Sequence, residues 1–225
     1  MREVVLDTET TGLTPKTGHR IVEIGCVELV NLVPTGNVYH VYINPQRDMP
    51  EEAFNVHGLS EDFLADKPLF SVVVEEFLAF VDGATLIAHN ANFDLRFLNA
   101  ELAAVDRPNL PKDKVLDTIA LARGKNIGAG QLSLNALCRR FDIDLSVRAK
   151  HGALLDAELL AEVYLELIGG RQPGLVLAAE SKDPKTAAQD AERQTRPPRS
   201  HAPTVEEAAA HQAFIEKIDD PIWKK

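Results

Sequence analysis

The sequence predicts an α/β fold, a mixed sheet of about five strands with helices on its faces. Three observations carry that reading. The first 44 residues hold three apolar runs rich in β-branched side chains, joined by short Gly- and Pro-containing connections. After residue 50 the apolar period lengthens to that of helices. Between the helical stretches lie two brief apolar runs of buried-strand type, and alternation of that kind places helices against a sheet.

Residues 3–7 form the first strand, 20–30 (RIVEIGCVELV) the second, and 36–44 (GNVYHVYIN) the third, stopped by Pro45. Gly12, Gly18, Pro34 and Gly36 in the connections favour antiparallel neighbours. Residues 71–81 (SVVVEEFLAFV) read as a helix, 84–88 as a buried strand, 93–105 as a helix and 114–117 as a short strand. Helices follow at 133–141 and 153–168. The domain is expected to span 1–170. Residues 171–204 form a flexible linker, because 178–204 (AAESKDPKTAAQDAERQTRPPRSHAPT) is Ala, Pro and polar without apolar period. In the tail, 205–225, Thr204 and Glu207 have the spacing of a capping box, Val205, Ala208, Ile215 and Ile218 recur at helical intervals, and Pro221 ends the helix.

Composition sets limits on function. No apolar run reaches the roughly 20 residues of a membrane-spanning helix. The start, MREVVLD, meets an acid too early for a signal peptide. Two cysteines, Cys26 and Cys138, both in apolar patterns, make no disulfide framework and imply a reducing, cytoplasmic compartment. The net charge of −10 argues against coating nucleic acid by bulk electrostatics. It is unevenly spread: residues 1–106 hold 6 basic and 17 acidic side chains, whereas 107–150 hold 9 basic and 4 acidic. Arg139, Arg140, Arg148 and Lys150 in the basic stretch can track a DNA backbone, or can be solvated helix surface.

Asp7 and Glu9 at the end of the first strand share a face, and two carboxylates that close repel unless a cation lies between them. A solvent-facing strand end is the alternative. Asp156 falls on the stripe Leu159, Leu160, Val163 and Leu167 of the last core helix, with Glu158, Glu162 and Glu166 on the polar face. A carboxylate on a buried stripe costs several kcal/mol unless it is paired or ligates a metal, roughly the penalty of a buried ion. A salt bridge to Arg96 or Arg123 would also satisfy it. His151 lies five residues earlier, and Gly152 starts the helix after it, leaving His151 on a loop where it can act as a general base or be an ordinary surface histidine. In HNANFD, residues 89–94, Asn92 reads as an N-cap and Asp94 as a first-turn charge, which leaves the rest of the string unexplained. Four carboxylates from separate segments suit two hard divalent cations, Mg²⁺ or Mn²⁺.

The strings DTETTGL, IVEIG, VHGL, HNANFD and HGALLDA, in this order and followed by AEVYLEL and GG, resemble the DEDDh exonucleases, in particular the proofreading-subunit branch of bacterial replicative polymerases. The resemblance covers about residues 3–170. It implies a ribonuclease H-like fold and 3′→5′ exonuclease activity on a single-stranded or frayed DNA 3′ end. By motif position it makes Asp7, Glu9, Asp94 and Asp156 metal ligands and His151 the general base, with Glu52 and His57 of PEEAFNVHG at positions contacting the terminal nucleotide. Asp7, Glu9 and Asp156 then also face the substrate.

Residues 172–177 (QPGLVL) resemble the short clamp-binding peptides of replication proteins, with Gln172, Leu175 and Leu177 as contacts to a sliding clamp; end-of-domain packing is the alternative. The tail is too small to bury its own face, so Phe214, Ile215, Ile218 and Trp223 form an anchor set for a partner groove, by resemblance that of the polymerase alpha subunit. A small third core subunit is a further possible partner. Two other functions compete: an RNA 3′-end-trimming enzyme of the same family, and a non-catalytic tether between clamp and polymerase.

Overall fold

The computed structural model describes residues 1–125, 127, 131–146, 150–169 and 203–217. The chain divides into two compact units, residues 1–175 and 176–225. The first holds a five-stranded sheet, ordered β3-β2-β1-β4-β5: β1 (Arg2–Thr10), β2 (Ile21–Val30), β3 (Val33–Tyr42), β4 (Thr85–Ala88) and β5 (Val115–Asp117). β1, β2 and β3 form an antiparallel meander, and β4 and β5 join parallel to β1. The helices are α1 (Glu51–His57), α2 (Glu61–Ala65), α3 (Phe70–Val81), α4 (Ala91–Ala104), α5 (Thr118–Gly124), α6 (Leu134–Arg140) and α7 (Ala153–Ile168).

Two cores lie on the two faces of the sheet. Val4, Leu6, Ile24 and Cys26 pack with Phe77 of α3 and Phe97 and Leu98 of α4. Val5, Val27, Leu29 and Ile87 pack with Leu137 and Cys138 of α6 and Leu160 and Val163 of α7. The alternation of β1 between the two clusters is the two-residue period of a strand. Both cysteines are buried and free. Among the described residues no helix is long and apolar enough to cross a membrane.

The meander, the parallel strands and α7 match expectation, while several boundaries differ. β1 runs on to Thr10, so Glu9 is a strand residue. β3 begins at Val33 because Asn31 and Leu32, at φ 50° and 66°, turn the chain in two residues, the geometry of a tight hairpin. Pro34, expected in the connection, therefore lies inside β3, which its place at the sheet edge permits. The short helices α1, α2 and α5 carry too few turns to show a period. The peptide at 172–177 and most of the linker lie outside the described residues. In the second unit, α8 (Val205–Ile215) has the expected capping box, Thr204 Oγ1 accepting from the Glu207 N–H and Glu207 accepting from the Thr204 N–H.

Gly25 brings the two halves of the sheet architecture together. It lies opposite Asp7 in the β1–β2 register. A Cβ at this position would overlap the backbone of Ala153 and Leu154, so the first turn of α7 rests directly on β2. The glycine of IVEIG is thus needed for close approach, with no unusual φ involved. Gly25→Ala is expected to lower stability by about 1–3 kcal/mol, the range for overpacking, read as a fall in thermal midpoint. Gly124→Ala, where a Cβ meets open space, is expected to be neutral or slightly stabilising.

Candidate active site

The close approach at Gly25 places Asp156, in the first turn of α7, beside the end of β1. Gly152 is the extended N-cap of α7, and its carbonyl accepts from the Asp156 N–H at 2.8 Å. The chain folds back at this cap, so His151 Nδ1 stands 3.2 Å from Asp156 Oδ2. Arg96 Nε donates to the Asn92 carbonyl. The Leu159, Leu160, Val163 and Leu167 stripe is buried as expected, and Asp156 is buried with it.

One ligand atom each from Glu9, His151 and Asp156 lies within 4.8 Å of the others. Glu9 and Asp156 are buried and His151 is exposed. The two desolvated carboxylates offer hard oxygen donors that fit a divalent cation of the Mg²⁺ or Mn²⁺ type, with the imidazole beside them. Asp7 and Asp94 are not part of that mutual set. For Asp94 the alternation of β1 explains why: Asp7 and Glu9 share one face, while Thr8 between them points to the other and donates to Asp94 Oδ1 at 2.8 Å. Asp94 is therefore moored from the opposite face of the same strand. Burial pushes its carboxyl up to about 7, against the hydrogen bonds from Thr8 that favour the anion.

Sequence reasoning did not single out Thr8, although a hydroxyl between two carboxylates on a strand must face away from both. It also missed the frame around HNANFD. The cap of α4 is Asn90, not Asn92, and it sits in the left-handed region at φ 65° and ψ 50°. Its N–H donates to Asp117 Oδ1 at 3.1 Å, and the same oxygen caps α5 through the Ile119 N–H at 2.9 Å. His89 Nδ1 lies 2.9 Å from Thr118 Oγ1. The signal available was an Asp-Thr pair at the end of β5, the residues of an N-cap and its first turn.

Glu52 and His57 line a cleft of about 640 Å³ with Thr8, Glu9, Gly12 and Phe93. Glu52 is exposed and His57 buried. His57 Nδ1 accepts from the Leu59 N–H at 3.0 Å, so a neutral ring carries its proton on Nε2. The Thr10 backbone lies beside that nitrogen, yet Nε2 has no partner of hydrogen-bond geometry. Burial pulls the His57 pKa down; the Glu23 carboxylate opposes this, and Lys150 and His151 reinforce it. The basic stretch divides: Arg139 and Arg140 are exposed at the end of α6, Lys150 is exposed beside Phe54 of α1, and Arg148 is outside the described residues. Phe214 is exposed on α8 but Ile215, expected beside it as an anchor, is buried, whereas Ile218 and Trp223 are outside the described residues.

The raised pKa of Asp94 has a thermodynamic sign. Between the usual carboxylate range and about 7, the folded protein without metal holds a proton that the unfolded chain gives up. This contribution to stability is present at low pH and is lost as pH rises through about 7. Asp94→Asn is expected to remove that part of the pH slope and to raise the metal-free thermal midpoint at about pH 8. Differential scanning calorimetry in chelator checks this, and an unchanged slope in the variant would contradict it.

A family model described as "Exonuclease" matches residues 4–164. The chain is 48% identical over 223 residues to the DNA polymerase III subunit epsilon of Rickettsia typhi, covering 97% of each. It is 44% identical over 229 residues to that of Escherichia coli K12, covering 96% of this chain and 93% of the relative. Among solved structures it is similar to exonuclease X in complex with 5′-overhanging duplex DNA, with TM-score 0.57, 26% identity and coverage of 74% and 90%. The nuclease domain of 3′hExo, a DEDDh family member bound to rAMP, shares the fold at TM-score 0.64 and 17% identity, over 74% and 91%. With matches over nearly its whole length and a carboxylate–histidine cluster where the sheet meets α7, the chain belongs to the DEDDh exonuclease family, in the branch of the bacterial DNA polymerase III epsilon subunits.

Proposed function

We propose that the chain proofreads DNA synthesis, removing mispaired 3′-terminal nucleotides for a bacterial replicative polymerase. Metal-dependent 3′→5′ exonuclease activity goes with the family; the proposal adds the residue roles, the number of cations and the partners. The observation that supports it most directly is the Glu9, His151 and Asp156 cluster, whose Glu9 also lines the cleft shared with Glu52 and His57. Asp7, Glu9, Asp94 and Asp156 would hold two divalent cations, Mg²⁺ or Mn²⁺. When bound, these supply Lewis acidity that offsets charge building on the phosphodiester and on the leaving 3′-oxygen.

The protein's own groups divide the remaining work. His151 Nδ1 lies 3.2 Å from Asp156 Oδ2, an orientation in which the other ring nitrogen would take a proton from the attacking water. His57 and Glu52, both on α1, line the cleft wall where the terminal nucleotide would rest, and Glu52 supplies an acceptor there. Arg139 and Arg140 offer positive charge for the strand further from its end. Outside the domain, 1–170, the linker 171–204 would carry the clamp contacts Gln172, Leu175 and Leu177, and the tail 205–225 would dock on the alpha subunit through Phe214, Ile215, Ile218 and Trp223. Such a tether keeps the nuclease near the primer end by effective concentration. A small third core subunit would complete the assembly.

The decisive assay is Mg²⁺-dependent degradation of a primer with a mispaired 3′ end, with RNA of the same sequence as comparison. Asp156→Ala and His151→Ala are each expected to lose at least about 100-fold in rate, the scale of a lost acid–base group, while keeping their circular dichroism. Undiminished turnover by either variant overturns the residue roles, and faster degradation of RNA than DNA transfers the reading to RNA trimming. Deleting residues 205–225 is expected to abolish co-purification with the polymerase subunit and to leave nuclease turnover unchanged; retained association would remove the tail from the proposal.

A further inference from the structure

The loop that carries His151 is fastened to the helix that carries the nucleotide-side residues. The His151 N–H donates to the Val56 carbonyl of α1 at 3.3 Å. One residue earlier, Lys150 Nζ stands 4.9 Å over the ring of Phe54, also on α1. The Lys150 stem lies on Gly58, where a Cβ would come within 2.7 Å of Lys150 Cδ. Gly58 is the left-handed C-cap of α1, at φ 77°, and its N–H closes the helix on the Phe54 carbonyl at 2.7 Å. This seven-residue helix therefore meets the cleft through Glu52, Val56 and His57, and meets the His151 loop through the Phe54 ring, the Val56 carbonyl and Gly58.

We propose that Lys150 is a positioning residue: by lying across Phe54 and Gly58 it clasps the His151 loop to α1, so that the general base and the wall receiving the terminal nucleotide hold one geometry. The inference rests on the exonuclease reading above. Three features support a clasp over an idle surface lysine. Its charge sits over an aromatic face, its stem occupies the space left by a glycine without a side chain, and the adjacent residue makes a backbone hydrogen bond to the same helix. As an ammonium, Lys150 has three donors and no lone pair to offer a cation. Its effect must therefore pass through His151, whose distance from the scissile bond depends on where this loop rests. A general base displaced by about 1 Å loses much of its effect, which is why a contact this modest can register in turnover.

The test is steady-state kinetics on the full-length protein with a single-stranded DNA 3′ end, combined with amide hydrogen exchange at His151. Lys150→Ala is expected to lower kcat about three- to tenfold with little change in KM or in the salt dependence of KM. Lys150→Arg, which keeps both the stem and a cation over the ring, is expected to restore turnover. Phe54→Ala should resemble Lys150→Ala, and the double variant should be no worse than the worse single one, as for two halves of one contact. Exchange at the His151 amide should quicken in Lys150→Ala while exchange in the middle of α7 stays unchanged. The exchange readout needs no turnover: if wild-type protein fails to degrade DNA, the exonuclease reading fails while exchange still decides the clasp. Unaltered kcat and exchange in Lys150→Ala overturn the inference. A raised KM with weakened salt dependence overturns it too, because Lys150 would then be gripping a DNA phosphate.

Discussion

The close approach of α7 to β2 at Gly25 is the constraint on which the site depends. Asp156 sits in the first turn of α7, Asp7 is the residue paired with Gly25, and Glu9 lies two positions further along β1. A helix resting on a sheet through ordinary side chains stands about 10 Å away, the usual spacing of packed layers. Without a side chain at residue 25 the backbone of the first turn of α7 comes into direct contact with the strand. A short carboxylate on the helix can then meet a glutamate on the strand. The other face of α7 contributes Leu160 and Val163 to the core beneath, so the packing that stabilises the domain also fixes the separation of the acids.

The strand end meets a second demand, since acids gathered for cations repel one another in their absence. β1 answers it by geometry. Asp7 and Glu9 use one face, and Thr8 reaches through to the other to hold Asp94, so the carboxylates arrive from both sides of one strand. Several other acids of the first 106 residues have no part in this. Glu101 takes a bidentate contact from Arg20 at 2.6 and 2.7 Å, Glu23 lies 2.7 Å from His40 Nε2, and Glu3 accepts from the Tyr164 hydroxyl at 2.7 Å. Buried carboxylates with partners of this kind tie strands and helices together, whereas Glu9 at the end of β1 converges with Asp156 and His151. Convergence, more than acidity, marks the site.

This difference sets what could be read from the sequence. The meander, the parallel strands and α7 were legible because strand and helix periods are written in the order of apolar residues. Asp156 was legible because a charge on an apolar stripe is a local contradiction. The loop position of His151 followed from Gly152 and the five-residue offset. Gly25, by contrast, looked like any strand glycine, since its meaning lies in a helix that begins 128 residues later. Thr8, Asp117 and Thr118 were invisible for the same reason, their partners being distant in sequence. The left-handed cap at Asn90 could not be told from a cap at Asn92, because either residue type serves. Where Glu52 and His57 stood was known only by resemblance, for a seven-residue helix shows no period of its own.

That short helix has a consequence for how the enzyme works. Two turns of helix are unstable in isolation, because the nucleation cost is spread over too few hydrogen bonds. α1 therefore keeps its shape through what surrounds it: the Gly58 cap, the turn in which the Leu59 N–H donates to His57, and the loop bearing Lys150 and His151. Each contact that orders α1 from the loop side also orders the loop from the α1 side, since an interaction energy is shared by both partners. A nucleotide that settles against Glu52 and His57 and steadies α1 must, by this reciprocity, steady His151 as well. A strand end that fails to fill the wall leaves the base less well held. On the proposed residue roles, recognition of the 3′ terminus and readiness to cleave it would be coupled through this one helix.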